Sequence, residues 1–229
     1  MITAHPISSV SELIAEPARA AILIALLDGR ALTAGELAII GGVSAQSASA
    51  HLSKLVDGAL LSVLNHGRHR YYSITGPDVV YALEALGTIA TRARTAASVR
   101  SPENLEMYCA RSCYDHLAGR AAVAVTQTLE ESGVLRTTGE RDYKLAPKGA
   151  AWFADWEIDV NALRDTRRAF ARRCLDWTER KPHIAGALGA ALFARMLAAG
   201  WFARRRGTRA LRITHRGASE LRSRFGFVA

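Results

Sequence analysis

Ser44-Ala45-Gln46-Ser47-Ala48-Ser49-Ala50-His51-Leu52-Ser53-Lys54-Leu55 is the stretch on which the fold turns. Asp57-Gly58-Ala59-Leu60-Leu61 and the basic ribbon His66-Gly67-Arg68-His69-Arg70 follow it. At helical spacing Ala48, Leu52 and Leu55 make one narrow apolar stripe, while Gln46, Ser47, Ser49, Ala50 and Lys54 point away from it. Such a helix buries one side and offers short polar side chains on the other. Serine and glutamine can approach base edges closely, glutamine can pair bidentately with adenine, and lysine suits a phosphate. His51 lies near the buried stripe and reads first as a packing or backbone-bonding residue.

The flanks supply the context. Pro17 opens a helix through Leu27 with a broad apolar face, ended by Gly29. Thr33-x-x-Glu36 is a capping-box start to a short helix through Ile40, and Gly41-Gly42 turns the chain before Ser44. Downstream, Leu60 to Leu64 and Arg70 to Ile74 face each other across Asn65-His66-Gly67 as a hairpin with a cationic tip. Helix, turn, helix and hairpin make a winged helix-turn-helix. The expected double-stranded DNA contacts are Ser44, Gln46, Ser47, Ser49 and Lys54 on the helix and Arg68, His69 and Arg70 on the wing.

These residues resemble the ArsR/SmtB family of bacterial winged-helix repressors over roughly the first hundred positions. The resemblance rests on Glu16-Pro17-Ala18-Arg19, Leu26-Leu27-Asp28-Gly29, Gly35-Glu36-Leu37-Ala38, Ser49-x-His51-Leu52-x-x-Leu55, Gly58-x-Leu60-Leu61 and Gly67-Arg68-x-Arg70-Tyr71-Tyr72. It implies a homodimer on a pseudo-palindromic operator, a repressor released by an effector. The family's usual metal ligands are missing: Thr33 to Ile40 has no cysteine, and the following long helix offers Asp78, Tyr81 and Glu84 but no histidine.

Composition agrees. The 229 residues carry 49% hydrophobic content, enough for one large or two small cores, and a net charge of +9 that attracts polyanions without choosing a sequence. No apolar run reaches the ~18 residues of a spanning helix, and Met1 to Pro6 has no signal-peptide pattern. The expectation is a cytoplasmic protein with no membrane partner.

From Pro77 to about Val99, apolar residues recur every three or four positions (Val79, Val80, Leu83, Leu86, Ile89, Ala90, Ala93), predicting a long helix with a dimerisation face. Ser98 to Asn104 reads as a boundary, giving a DNA-binding and dimerisation domain at 1–100 and a sensing domain at 101–229. Within the second, Gly119 to Gly133 with its following hairpin is repeated by Gly186 to Gly200, 67 residues later. The fold class is therefore mainly α with short β-hairpin wings: a winged helix-turn-helix followed by two degenerate winged-helix-like subdomains, about 113–157 and 183–225. Arg164 to Arg173 reads as a bridging helix, and Arg204 to Arg209 as a second basic wing.

Effector chemistry has one concentrated candidate. If Tyr108 to His116 is helical, Cys109, Cys113 and His116 share a face, with Arg111 favouring thiolates and Cys174 and His183 completing the set. Structural packing of small cysteines, sensing of a soft metal, metalloid or oxidant, and part of an organic-ligand pocket all remain open, and no metal site is assigned. Tyr108, Tyr114, Trp152, Trp156, Phe170 and Trp177 supply the aromatic area for such a pocket. No cofactor is required by this reading. The alternatives are a thiol- or metal(loid)-responsive sensor through Cys109, Cys113 and His116, and an architectural nucleic-acid binder without an effector. An enzyme is not expected, because no nucleophile triad, phosphate-cradling loop or HExxH sequence is present.

Overall fold

The computed structural model describes residues 6–67, 69–92, 102–166, 168–205 and 208–228. The chain divides into two compact units, Met1–Leu83 and Glu84–Ala229. Among the described residues no helix is long and apolar enough to cross a membrane.

The amino-terminal unit contains α1 (Pro6–Ala15), α2 (Pro17–Leu26), β1 (Leu32–Thr33), α3 (Ala34–Gly41), α4 (Ala45–Asp57), β2 (Leu61–His66) and β3 (His69–Ile74). The starts of α2, α3 and α4 each carry a cap. Of these the Thr33/Glu36 capping box that opens α3 is the one predicted from sequence; Glu16 also caps α2, Gly42 closes α3 in the left-handed conformation, and Ser44 caps α4. Ile22, Leu23 and Leu26 of α2, Leu37 of α3, and Ala48, Leu52 and Leu55 of α4 have no exposed surface. Fully burying each large aliphatic side chain contributes about 1.5–3 kcal/mol, so these three stripes hold the three helices together. β2 and β3 form the wing, with His66 opposite His69, so His66 lies in the strand rather than in the turn. Arg68 itself lies outside the described residues.

Two elements here have no counterpart in the sequence reading. β1 adds a third strand through Leu32–Tyr72 and Thr33–Tyr71 pairing. α1 is fastened by Arg19, which donates to the carbonyls of Leu13 (2.7 Å) and Glu12 (2.8 Å).

α5 (Pro77–Arg92) begins in the first unit and continues into the second. The predicted continuation toward Val99 lies outside the described residues. The carboxy-terminal unit proper runs through α6 (Pro102–Cys109), β4 (Arg111–Cys113), β5 (His116–Ala118), α7 (Arg120–Glu131), β6 (Leu135–Thr138), β7 (Asp142–Leu145), α8 (Gly149–Ala154) and α9 (Val160–Arg164). It then passes through β8 (Arg172–Leu175), β9 (Pro182–Ala185), α10 (Gly186–Ala198), β10 (Phe202–Arg204), β11 (Leu211–Ile213) and α11 (His215–Phe225).

In the carboxy-terminal unit the same order of elements occurs twice. Each copy is hairpin, helix, hairpin, helix: β4-β5-α7-β6-β7-α8, then β8-β9-α10-β10-β11-α11. The copies are related by a reciprocal exchange of backbone hydrogen bonds. Leu211 N donates to Ala110 O at 2.9 Å and Ser112 N to Arg209 O at 3.0 Å; in the other copy Tyr143 N donates to Ala171 O at 2.9 Å and Arg173 N to Arg141 O at 2.8 Å. Each copy's second hairpin thus pairs with the other copy's first, the pattern of an internal two-fold axis. Gly119 and Gly186 start the two long helices with φ of 87° and 76°. A Cβ there would lie 2.7 Å from Tyr108 O and 2.5 Å from Ala169 O. Only glycine allows both that backbone angle and that approach.

This pairing overturns two helical expectations. Residues 110–116 are not helical: the main chain at Ala110 and Ser112 bonds to the strand region at 209–211, leaving α6 to end at Cys109. Among the described residues of 164–173 there is no bridging helix either. α9 stops at Arg164, and the carbonyls of Ala169 and Phe170 accept from Ala187 N and Leu188 N, first-turn donors of α10 that need partners outside their own helix.

Candidate functional site

Two sets of residues carry chemistry. On α4 the buried stripe turns Gln46, Ser47, Ser49 and Lys54 to the surface, all exposed. Ser44 has a second task, its Oγ accepting from Ser47 N at 3.2 Å as the helix cap. His51 is half-buried, with Nδ1 3.6 Å from Glu16 Oε2 and 3.5 Å from Arg19 Nη1. It ties α4 to the start of α2 through side chains rather than to a carbonyl. On the wing His69 and Arg70 are exposed. Short polar side chains suit base edges and cationic ones suit phosphate, so this face has the chemistry a duplex surface asks for.

The fold and this face define a class, a winged helix-turn-helix of the DNA-binding kind. A helix-turn-helix domain model matches residues 14–63. The chain is 44% identical over 211 residues to the uncharacterized HTH-type transcriptional regulator YdfF of Bacillus subtilis (strain 168), an alignment covering 92% of this chain and 93% of that protein. It belongs to the family of HTH-type transcriptional regulators. Among solved structures, NolR from Sinorhizobium fredii is 32% identical over 37% of this chain and 83% of its own, with a TM-score of 0.34. A winged helix-turn-helix domain from Mycobacterium bovis, described as homodimeric and as a possible ArsR-family regulator, is 26% identical over 38% and 79%, also with a TM-score of 0.34.

The second set is buried in the carboxy-terminal unit. Cys113 and His116 face each other across the β4–β5 hairpin, and Cys174 and His183 face each other across β8–β9. The ligand atoms of all four lie within 4.8 Å of one another, and all four residues are buried. Cys109 stands apart, half-buried at the end of α6 and outside this group. The thiol of Cys113 is pushed well up by its hydrogen bond with Cys174 and by burial.

Arg111, expected to favour thiolates, is committed elsewhere. It is fully buried, donates to Asp176 Oδ2 at 2.8 Å, and lies 4.6 Å from the centre of the Trp177 ring. Asp176 also accepts from Gly119 N at 2.7 Å and from Thr178 N at 2.9 Å. Burial raises its carboxyl, but Arg111 and these donors outweigh that and hold it well below the carboxylate range. Arg209 Nη1 meets Glu84 Oε1 on α5 at 2.7 Å and Ser112 O at 3.4 Å. Burial likewise raises Glu84, while Arg209 and Arg111 bring it below its usual value.

The aromatic residues divide into separate clusters. Tyr108 packs on Trp177, with ring centres 5.6 Å apart, whereas Trp152 and Trp156 stack at 5.5 Å and continue to Trp201. Beside Trp152 an open cavity of about 460 Å³ is lined by Thr128, Lys148 and Arg224 among others.

His183 is placed with the others only by the repeat. Its signal is an extension of the repeat: Ala110-Arg111-Ser112-Cys113-Tyr114-Asp115-His116-Leu117-Ala118-Gly119 matches Ala171-Arg172-Arg173-Cys174-Leu175-Asp176, then, after an inserted loop, His183-Ile184-Ala185-Gly186. The insertion hides the match.

Proposed function

We propose that the protein is a homodimeric repressor holding a pseudo-palindromic operator through α4 of each protomer, with an effector sensed by the carboxy-terminal unit. The observation that carries this reading is α4 itself: Ala48, Leu52 and Leu55 sealed inside, with Gln46, Ser47, Ser49 and Lys54 outside beside exposed His69 and Arg70. Gln46, Ser47 and Ser49 are assigned to bases or adjacent phosphates, Lys54 to phosphate, and the wing, Arg68 included, to the minor groove and its flanks. Dimerisation is supported by α5, where Leu86 and Ile89 are 45% and 61% exposed, an apolar edge in need of cover. The effector reading is supported by Glu84 of the same helix, which is tied through Arg209 to the strand carrying Cys113.

Selection of bound DNA from a random pool, repeated with thiol-reactive metals, oxidant and reductant, tests the reading. A palindromic consensus lost under one condition is expected, whereas uniform recovery of unrelated sequences would make the protein an architectural binder. Replacing Leu86 and Ile89 together by Glu should turn dimer to monomer in sedimentation equilibrium; a native-like mass would remove α5 from the interface.

A further inference from the structure

We infer that Cys113, His116, Cys174 and His183 are the four ligands of a single zinc-class divalent cation held on the internal two-fold axis of the carboxy-terminal unit. The site stands on the geometry of this unit and does not depend on the DNA-binding reading.

Repeat equivalence comes first. Each copy contributes one cysteine and one histidine from corresponding positions of its first hairpin, and the reciprocal strand exchange brings the two pairs together. Two thiolates and two imidazoles are a donor set for a borderline-soft cation that prefers a tetrahedron.

Dimensions agree. Zn–N bonds of about 2.0–2.1 Å and Zn–S bonds of about 2.3 Å give tetrahedral N···N and S···S edges of roughly 3.3 and 3.8 Å. Nε2 of His116 and Nε2 of His183 are 3.1 Å apart, and every ligand pair falls within 4.8 Å.

Tautomers point the same way. His116 Nδ1 is 3.4 Å from Asp115 Oδ1, whereas His183 Nδ1 lies 3.8 Å from Asp176 Oδ2, beyond hydrogen-bond reach; Asp115 and Asp176 occupy equivalent places in the repeat. A carboxylate bonded to Nδ1 of His116 favours the proton there and leaves Nε2 to face inward, the arrangement common to histidines that bind metal, and the Asp176 carboxylate acts on His183 in the same sense at longer range. At 3.1 Å the two Nε2 atoms can share either a proton or a metal cation, and the two cysteines beside them favour the metal. Charge also closes: a dication and two thiolates sum to zero, and they can be buried together where either alone could not.

The test uses the full chain, purified under reducing conditions, stripped with chelator and titrated with Co(II) alone. One cobalt per chain is expected, with the visible bands of a tetrahedral site and a sulfur-to-cobalt charge-transfer band. Cys113→Ser and Cys174→Ser should each roughly halve the charge-transfer band per bound cobalt and weaken binding, and His116→Asn and His183→Asn should weaken binding with the band retained. Cys109→Ser should change nothing. Asp115→Asn, which leaves all four ligands in place, should weaken binding by about 10- to 100-fold. Circular dichroism of each variant identifies any that fail to fold, and Asp115→Asn and Cys109→Ser keep the comparison readable in that event. Absence of stoichiometric cobalt, binding that survives loss of both Cys113 and Cys174, or recovery of a Cys113–Cys174 disulfide from reducing buffer would overturn the assignment.

Discussion

The amino-terminal and carboxy-terminal units use their functional side chains in opposite ways. In the first, the candidate contacts Gln46, Ser47, Ser49 and Lys54 are exposed on one continuous helix, and the fold beneath them is held by aliphatic burial. In the second, Cys113, His116, Cys174, His183, Arg111 and Asp176 are all buried, and polar pairs share the work of holding the fold. A surface set can be altered with little structural cost, because water replaces what a side chain loses. A buried set cannot, because removing one partner strands the other where no water can reach it.

The sharpest way to break that contrast is Arg111→Ala. It leaves Asp176 as a buried carboxylate without its cation and should cost about 3–5 kcal/mol in urea unfolding of the carboxy-terminal unit. A loss below 1 kcal/mol would mean that the polar pairs are not structural. The same pairs make this unit sensitive to acid. Asp176 and Glu84 both have lowered folded values, so the stability they contribute is full at neutral pH and is lost as pH falls below the ordinary carboxylate range of about 4 toward those values. A pH series of unfolding midpoints should show the loss, and Glu84→Gln should flatten part of it.

Smaller effects are expected on the exposed side, and they should appear in DNA binding rather than in stability. Gln46→Ala should change sequence preference by ~1–3 kcal/mol at one base pair while the melting temperature stays put. An unchanged selected consensus would remove Gln46 from the readout. Arg70→Ala should weaken all sequences alike and lower the slope of log K against log salt by about one unit. A selective loss at one sequence would instead make Arg70 a base reader.

The units also differ in how legible they were. The capping box at Thr33, the stripe of α4 and the wing are readable because each depends on residues within a few positions of one another. The repeat was visible from Gly119 and Gly186 onward, where helix spacing and glycines coincide. The segments just before them were misread as helices, since their strand state is imposed by partners near 141 and 209 that local pattern does not reveal. Cys109 looked like a ligand by spacing and is not with the others, because α6 ends at that residue and the chain changes direction.

What this sequence determined alone is the helix-turn-helix, through capping side chains and apolar periodicity acting over one or two turns. What only the tertiary structure decided is the Cys/His cluster. Its four members lie on two hairpins whose meeting is set by hydrogen bonds between distant strands, and the loop inserted in the second hairpin obscures in sequence an equivalence that is plain in space.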